Sequence, residues 1–182
     1  MLGIVLLALG VSIAWAERCT VPIGVRNHAK HAVVSQSSTH VDSASGLHLG
    51  PELATDGNND NKYSQGSCSQ TKMEYEPWFN MDMKHRLHIG TVAITNRGDC
   101  CPEQLMGAEI LVGDSKNGDN QVCGVISDVS QATIAVCCNG MAGQYLSVRI
   151  PGREEQLSMC EVEVYEQVDA PNVHPEEVIW SE

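Results

Sequence analysis

Aromatic side chains are scarce in this chain, with one Phe, four Tyr and three Trp among 182 residues. The apolar signal therefore rests on Val, Ile and Leu, which recur in short alternating runs broken by Gly, Pro, Asn and Asp. No segment sustains a helical period with caps, so helices should be short. Positive charge is also sparse: 11 Lys and Arg face 23 Asp and Glu, a formal net charge of −12. That balance argues against nucleic acid and anionic membrane surfaces as partners. There is no Cys-x-x-Cys pair, which weighs against zinc or thioredoxin-like chemistry. There is no Asn-x-Ser/Thr sequon, so N-glycosylation is not expected. Nucleophile elbow, HExxH and phosphate loop are all missing, and nothing places two carboxylates as a glycosidase pair, so an enzyme is not expected.

What is present begins with Met1–Ala16, an uncharged segment that runs through Ile4–Leu9 and ends in Ala14-Trp15-Ala16, a small-x-small cleavage pattern. It reads as a secretory signal peptide, too short to span a membrane, and no later stretch is a better candidate. The domain is then expected over 17–166, in an extracellular setting. Secretion makes the eight cysteines (19, 68, 100, 101, 123, 137, 138 and 160) a disulfide framework whose connectivity spacing alone does not fix.

The alternating runs predict strands over Ala32–Ser38, Trp78–Met83, Leu87–Asn96, Ala108–Gly113, Ala132–Cys137, Tyr145–Ile150 and Cys160–Tyr165, an all-β sandwich. The connections Asp42–Gly50 and Gly57–Gly66 are long and polar, as loops that bind something or hold an ion tend to be. Residues 167–182 are acidic, carry Pro171 and Pro175, and are expected as a flexible extension.

The densest chemistry lies at Asn96-Arg97-Gly98-Asp99-Cys100-Cys101, a cation, an anion and two adjacent cysteines after an apolar run. Neighbouring Cα atoms lie about 3.8 Å apart, below the usual disulfide range, so a Cys100–Cys101 bond would form a tight, flat, sulfur-rich ring. Separate bridges to distant partners are the alternative. Arg97-Gly98-Asp99 also spells an adhesion tripeptide, although one set beside Cys100 suggests another role. Asp56-Gly57-Asn58-Asn59-Asp60-Asn61 is rich in oxygen donors of the kind calcium prefers, and equally in turn formers. In Cys160–Val164, Glu161 and Glu163 share one strand face. Glu163 reads as solvated, and Glu161 is set apart by following a cysteine. His28 and His31, like His85 and His88, are three apart, which in a strand puts each pair on opposite faces and disfavours a metal.

Taken together, Ser35–Thr39, Ala54–Asn58, Cys68-Ser69, Pro77-Trp78-Phe79, Asn96–Cys101, Gly107–Ile110, Gly143-Gln144-Tyr145, Ile150–Arg153 and Leu157–Val164 resemble the F-type lectins, the fucolectin family. The resemblance runs in order from Val25 to Glu166. It implies a discoidin-like (galactose-binding-domain-like) β-jellyroll with a shallow sugar site in the loops at one end, Cys100–Cys101 forming a platform against the sugar. It further implies the bridges Cys68–Cys160 and Cys123–Cys138. Cys19 and Cys137 are left to pair with each other, or Cys19 to bridge subunits. A structural calcium ion is implied on Asp56, Asn58, Ser67 and Glu161, with backbone oxygens of Leu53 and Cys160, bracing the loops without touching sugar.

The chain departs from the family at two positions. Members read fucose with a His shortly after the cysteine matching Cys68, the Arg-x-Asp pair, and a basic residue five past that Asp; here Arg97 and Asp99 stand, but Gln70 and Gln104 replace the other two. Exchanging a charged hydrogen bond for a neutral one costs about 1–2 kcal/mol, roughly 5- to 30-fold in affinity. The site then either binds a glycan through Arg97, Asp99, the Cys100–Cys101 platform and Tyr63 with altered specificity, or persists as a protein-binding scaffold without sugar. Weak single sites act through clustering, so a homo-oligomer recognising fucosylated or related cell-surface glycans is expected.

Overall fold

The computed structural model describes residues 19–168. The expected signal peptide and all but the first two residues of the acidic tail lie outside them. Ten strands follow in chain order: β1 (Val33–Gln36), β2 (Ser69–Gln70), β3 (Glu74–Tyr75), β4 (Trp78–Thr95), β5 (Glu109–Gly113), β6 (Gln121–Val125), β7 (Thr133–Arg149), β8 (Glu154–Glu155), β9 (Ser158–Met159) and β10 (Glu161–Glu166). Short 3-10 turns are the only helical structure among the described residues. The chain is all-β, as its alternating runs require.

Two long antiparallel strands organise everything else. Residues 78–82 of β4 lie between β1 and residues 145–149 of β7, whereas residues 89–95 lie between β10 and residues 133–141 of β7. Each long strand is thus shared by both halves of the sandwich. The sequence predicts two strands where each of these is found, because Lys84-His85-Arg86 and Asn139-Gly140 read as interruptions. They are bulges instead. Lys84 takes φ 67°, with its amide donating to Asp82 Oδ1 at 2.8 Å, and Asn139 and Gly140 take φ 51° and 77°. The pairing register shifts between Asp82 and Leu87 and then resumes, which lets the strand bend without ending.

One continuous core lies between the halves. Phe79, Met81, Ile89 and Ile94 of β4 meet Ile110 and Val112 of β5, Leu146 and Val148 of β7, and Val162 and Val164 of β10. Aliphatic and thioether side chains fill it, with Phe79 as its one large ring, in keeping with the aromatic-poor composition. The edge strand β6 escaped the sequence reading because Val122 and Val125 are exposed and give it no apolar face.

All eight cysteines are paired. The bridges are Cys19–Cys137, Cys68–Cys160, Cys100–Cys101 and Cys123–Cys138. Cys19 closes within its own chain rather than to another subunit. It pins the N-terminal segment onto β7 across a sequence separation of 118 residues, and its sulfur lies 3.8 Å from Thr91 Oγ1. Closing so long a loop should remove much freedom from the unfolded chain. Replacing Cys19 and Cys137 together with Ser is expected to lower stability by about 2–4 kcal/mol in reversible denaturant unfolding, with no change in mass under non-reducing conditions. A loss of a covalent dimer on that substitution would contradict the pairing.

Candidate functional site

The end of β4 and the start of β10 pair side by side, Thr95 with Glu161, and the polar loops gather there. The 96–102 loop is closed by its own first residue: the Asn96 side chain donates to Pro102 O at 3.0 Å and accepts from Arg97 N at 2.9 Å. Gly98 N donates to Asn61 O at 2.8 Å, tying this loop to the acidic one. The Gly57–Gly66 connection and the Asn96–Cys101 stretch therefore meet at one place.

A relay of side chains crosses these loops. Asp42 accepts from Ser45 through both amide and hydroxyl and from Ala44, which holds its carboxyl down to about 2. Its other oxygen receives the Tyr63 hydroxyl at 3.1 Å. The Tyr63 ring lies under the Arg97 guanidinium, 4.1 Å from centroid to Cζ. Arg97 Nε in turn donates to Asp99 Oδ1 at 2.7 Å. Burial pushes the Asp99 carboxyl up, but the bonded Arg97 guanidinium outweighs it and holds the group below the ordinary range. Asp42 was not singled out from the sequence. Its signal was the Asp42-Ser43-Ala44-Ser45 turn pattern.

The arrangement leaves specific groups free. Among the described residues no hydrogen bond uses either Arg97 Nη atom, while the Asp99 carboxylate takes the Tyr63 backbone amide as well as Arg97 Nε. Fixed donors beside a fixed acceptor match adjacent hydroxyls, each of which can both donate and accept. Cys100 and Cys101 flank this pair, half-buried, with Cα atoms 3.7 Å apart. Cys101 adopts φ 58° and leads into the Pro102–Leu105 turn that carries Gln104.

The two glutamines sit differently. Gln104 Nε2 donates to Glu155 Oε1 at 3.2 Å, while Gln104 O accepts from Arg153 Nη2 at 2.9 Å. Gln70 on β2 is 4% exposed, and its Oε1 has no partner. A buried acceptor without a donor is costly unless a water or a ligand hydroxyl completes it. No hydrogen bond joins Gln70 or Gln104 to Arg97. The Arg97-Gly98-Asp99 tripeptide is folded on itself by the Arg97–Asp99 bond, a poor conformation for presenting its carboxylate to a receptor. His28 caps a 3-10 turn that ends in His31 instead of lying in a strand, and His28 packs against His85 with ring centroids 6.0 Å apart. Among the described residues no group of three His, Cys, Asp or Glu is arranged as a metal site. Glu163, expected in solvent, is half-buried and accepts the Tyr165 hydroxyl at 3.0 Å. The sheet face it occupies also holds buried Ala93 and Thr95.

Glu161 has the most unusual surroundings. It is fully buried, and its two oxygens accept from Gly57 N at 3.2 and 3.1 Å. Burial first, then the Asp56 and Glu163 charges, push its carboxyl up to about 7 against the Gly57 hydrogen bond and a weak contribution from Lys30. No ion pair to Glu161 forms among the described residues. Asp56, Asn58 and Asp60 each accept an amide two residues on, so these positions form turns. Ser67 is buried beside Cys68 and donates to Lys62 O at 3.0 Å. A buried carboxylate with a second one nearby and only neutral donors fits a hard cation.

The fold and these loops define a lectin-type, carbohydrate-binding β-sandwich. A profile of the NedA-like, galactose-binding domain matches residues 53–148. Fucolectin-1 of Anguilla japonica is 40% identical over 143 residues, covering 76% of this chain and 79% of the relative. A pentraxin fusion protein of Xenopus laevis is 38% identical over 143 residues, covering 76% of this chain and 34% of that relative. The crystal structure of an F-lectin from striped bass (Morone saxatilis) serum superposes with a TM-score of 0.72 at 34% identity, covering 78% of this chain and 49% of that one. The chain belongs to the F-type lectin (fucolectin) family, and its fold is the discoidin-like sandwich of that family.

Glu161 generates a prediction for the metal-free protein. Its folded value of about 7 lies above its ordinary 4.5, so the folded state holds the proton more tightly. This contribution favours folding below about pH 4.5 and is lost as the pH rises through 7. In chelator, Glu161→Gln should abolish that slope and raise stability at pH 7.5 by about 1–3 kcal/mol, read by urea unfolding at pH 5 and 7.5. Parallel slopes for the two proteins would show that Glu161 is not the group responsible.

Proposed function

We propose that this chain is a secreted, calcium-stabilised lectin that binds fucosylated or related glycans at Arg97 and Asp99, with specificity altered by Gln70 and Gln104. The observation that carries this is the Arg97–Asp99 pair, braced from below by Tyr63 and Asp42, with both Arg97 Nη atoms free. Nothing in the core requires such a pair, and rigid donors and acceptors at the loop end suit sugar hydroxyls. Cys100 and Cys101 supply the weakly apolar surface against which a sugar ring rests. The relatives are lectins, and the groups assembled here bind rather than transform. Calcium on Asp56, Asn58, Ser67 and Glu161, with the Leu53 and Cys160 carbonyls, fixes the loops from behind. No helix among the described residues is long and apolar enough to cross a membrane.

One observation favours a second reading, a scaffold that has lost its sugar. Gln104 is engaged by Glu155, so the position where the family carries a cation neither bears a charge nor points a free amide outward. Titrating the oxidised protein with L-fucose and a fucosylated oligosaccharide separates the two. Binding by the unaltered chain, weakened at least tenfold in Arg97→Ala, supports the altered-specificity lectin. Binding only by the Gln70→His, Gln104→Arg double variant supports the silenced scaffold.

Calcium has an independent readout. Chelation should lower the melting temperature and added calcium restore it by mass action, with Glu161→Gln insensitive to both. Melting curves indifferent to chelator in the unaltered protein would remove the ion from the account.

A further inference from the structure

At the other end of β4 from Arg97, a second polar groove lies on the outer face of the sheet. Trp78, Asn80 and Asp82 point outward where Phe79, Met81 and Met83 point into the core. Their partners across the ladder are Arg149, Ser147 and Tyr145 of β7. The 116–119 loop arches over these rows and encloses a cavity of about 470 Å³. A smaller cavity of about 130 Å³ shares Ser35, Asn80 and Lys116 with it and continues to Tyr145.

Several features mark this groove as a place for a ligand. Trp78 remains 36% exposed in its wall, in a chain with few aromatic residues to leave in solvent. The Asn80 amide and Ser147 Oγ open into it, and among the described residues neither side chain makes a hydrogen bond. The loop tip over them is Gly118 at φ +83°, where an added Cβ would sit 3.6 Å from Ser147 Oγ and 3.8 Å from Asn80 Oδ1. The tip therefore lies close over the groove floor, with room for no more than a methyl group beneath it, and a ligand would lie alongside the tip. From Trp78 to Asp82 the strand advances about 13 Å, with an aromatic ring near each end, Trp78 and Tyr145.

The charges select the ligand class. Lys116 shares the lining with the carboxylates Asp119 and Glu76, and Arg149 is already held by Glu109 at 2.8 Å. No positive surplus awaits an anion. An exposed indole beside uncommitted amide and hydroxyl groups suits the apolar ring faces and hydroxyls of a neutral sugar chain. We propose that this groove is a second carbohydrate site, which takes a short neutral oligosaccharide along β4 with Trp78 as its stacking platform. It uses none of the residues of the Arg97 site and does not depend on that site binding sugar.

The test uses the full oxidised chain and three neutral, unfucosylated probes: cellotetraose, lacto-N-neotetraose and α-mannotetraose. Binding is measured by calorimetry and by the NMR shift of the Trp78 indole N–H. At least one probe is expected to bind the unaltered protein and Arg97→Ala with affinities equal within twofold, to move the Trp78 signal, and to bind Trp78→Ala and Asn80→Ala at least tenfold more weakly. Asn80 carries no side-chain hydrogen bond, so its variant keeps the test open should Trp78→Ala fail to fold. The proposal is overturned if none of the three probes binds, or if binding survives in Asn80→Ala but is lost in Arg97→Ala. A change of sedimenting mass in Trp78→Ala would overturn it too, because the face would then be a contact between copies.

Discussion

The antiparallel ladder between β4 and β7 is the constraint on which the rest depends. Both strands belong to each half of the sandwich, so the core closes only if each of them bends. Lys84 on one strand and Asn139-Gly140 on the other supply left-handed backbone for that bend, the extra residues being absorbed as register shifts. Everything functional is then hung from the ends of the ladder. The C-terminal end of β4 delivers Arg97 and Asp99 into the loops, and its N-terminal end presents Trp78 and Asn80 on the sheet. A slip of one residue would exchange Trp78 with Phe79 and turn each face inside out.

The loops that carry the Arg97 pair have almost no regular structure of their own. They are held by cross-links of several kinds, each acting on a different segment. Cys68–Cys160 fastens the start of β2 to the start of β10, Gly98 N to Asn61 O fastens two loops together, and Glu161 grips Gly57. The last is the weakest partnership on its own terms, since a fully buried carboxylate faces two other acids and receives only an amide. The strain lies in solvation, not in geometry. A divalent cation would reverse its sign, turning the least favourable group in the loops into their anchor, which is the physical content of calling such an ion structural.

The sequence revealed these features unevenly, for reasons that particular residues make clear. The buried rows were readable because Phe79, Met81 and Ile89, Ile94 alternate with polar neighbours, whereas the meeting of the acidic loop with the 160–164 strand was implied only by the family resemblance. The continuity of β4 was not, because Lys84-His85-Arg86 has the composition of a turn and only the partner strand shows that the ladder resumes. The engagement of Gln104 by Glu155 and the brace from Asp42 were hidden for a related reason. Both join segments tens of residues apart, and neither residue type differs from what a solvated loop would carry.

Those two hidden contacts bear directly on what the Arg97 site can hold. The Arg97 charge is already answered by Asp99 at 2.7 Å. Where the family places a second cation, this chain sets Gln104 against Glu155, whose carboxylate also lies 3.8 Å from Arg153 Nε. The local balance is therefore neutral to acidic, within a chain of net charge −12. Sialylated or sulfated glycans would meet repulsion on approach and find no unpaired cation on arrival. Neutral sugars face no such barrier, and for them recognition falls to directional hydrogen bonds and to contact with the Cys100–Cys101 surface. In the proposed lectin reading, a site of that kind would gain its selectivity from hydroxyl geometry, and the two glutamines would bear on which hydroxyls are read.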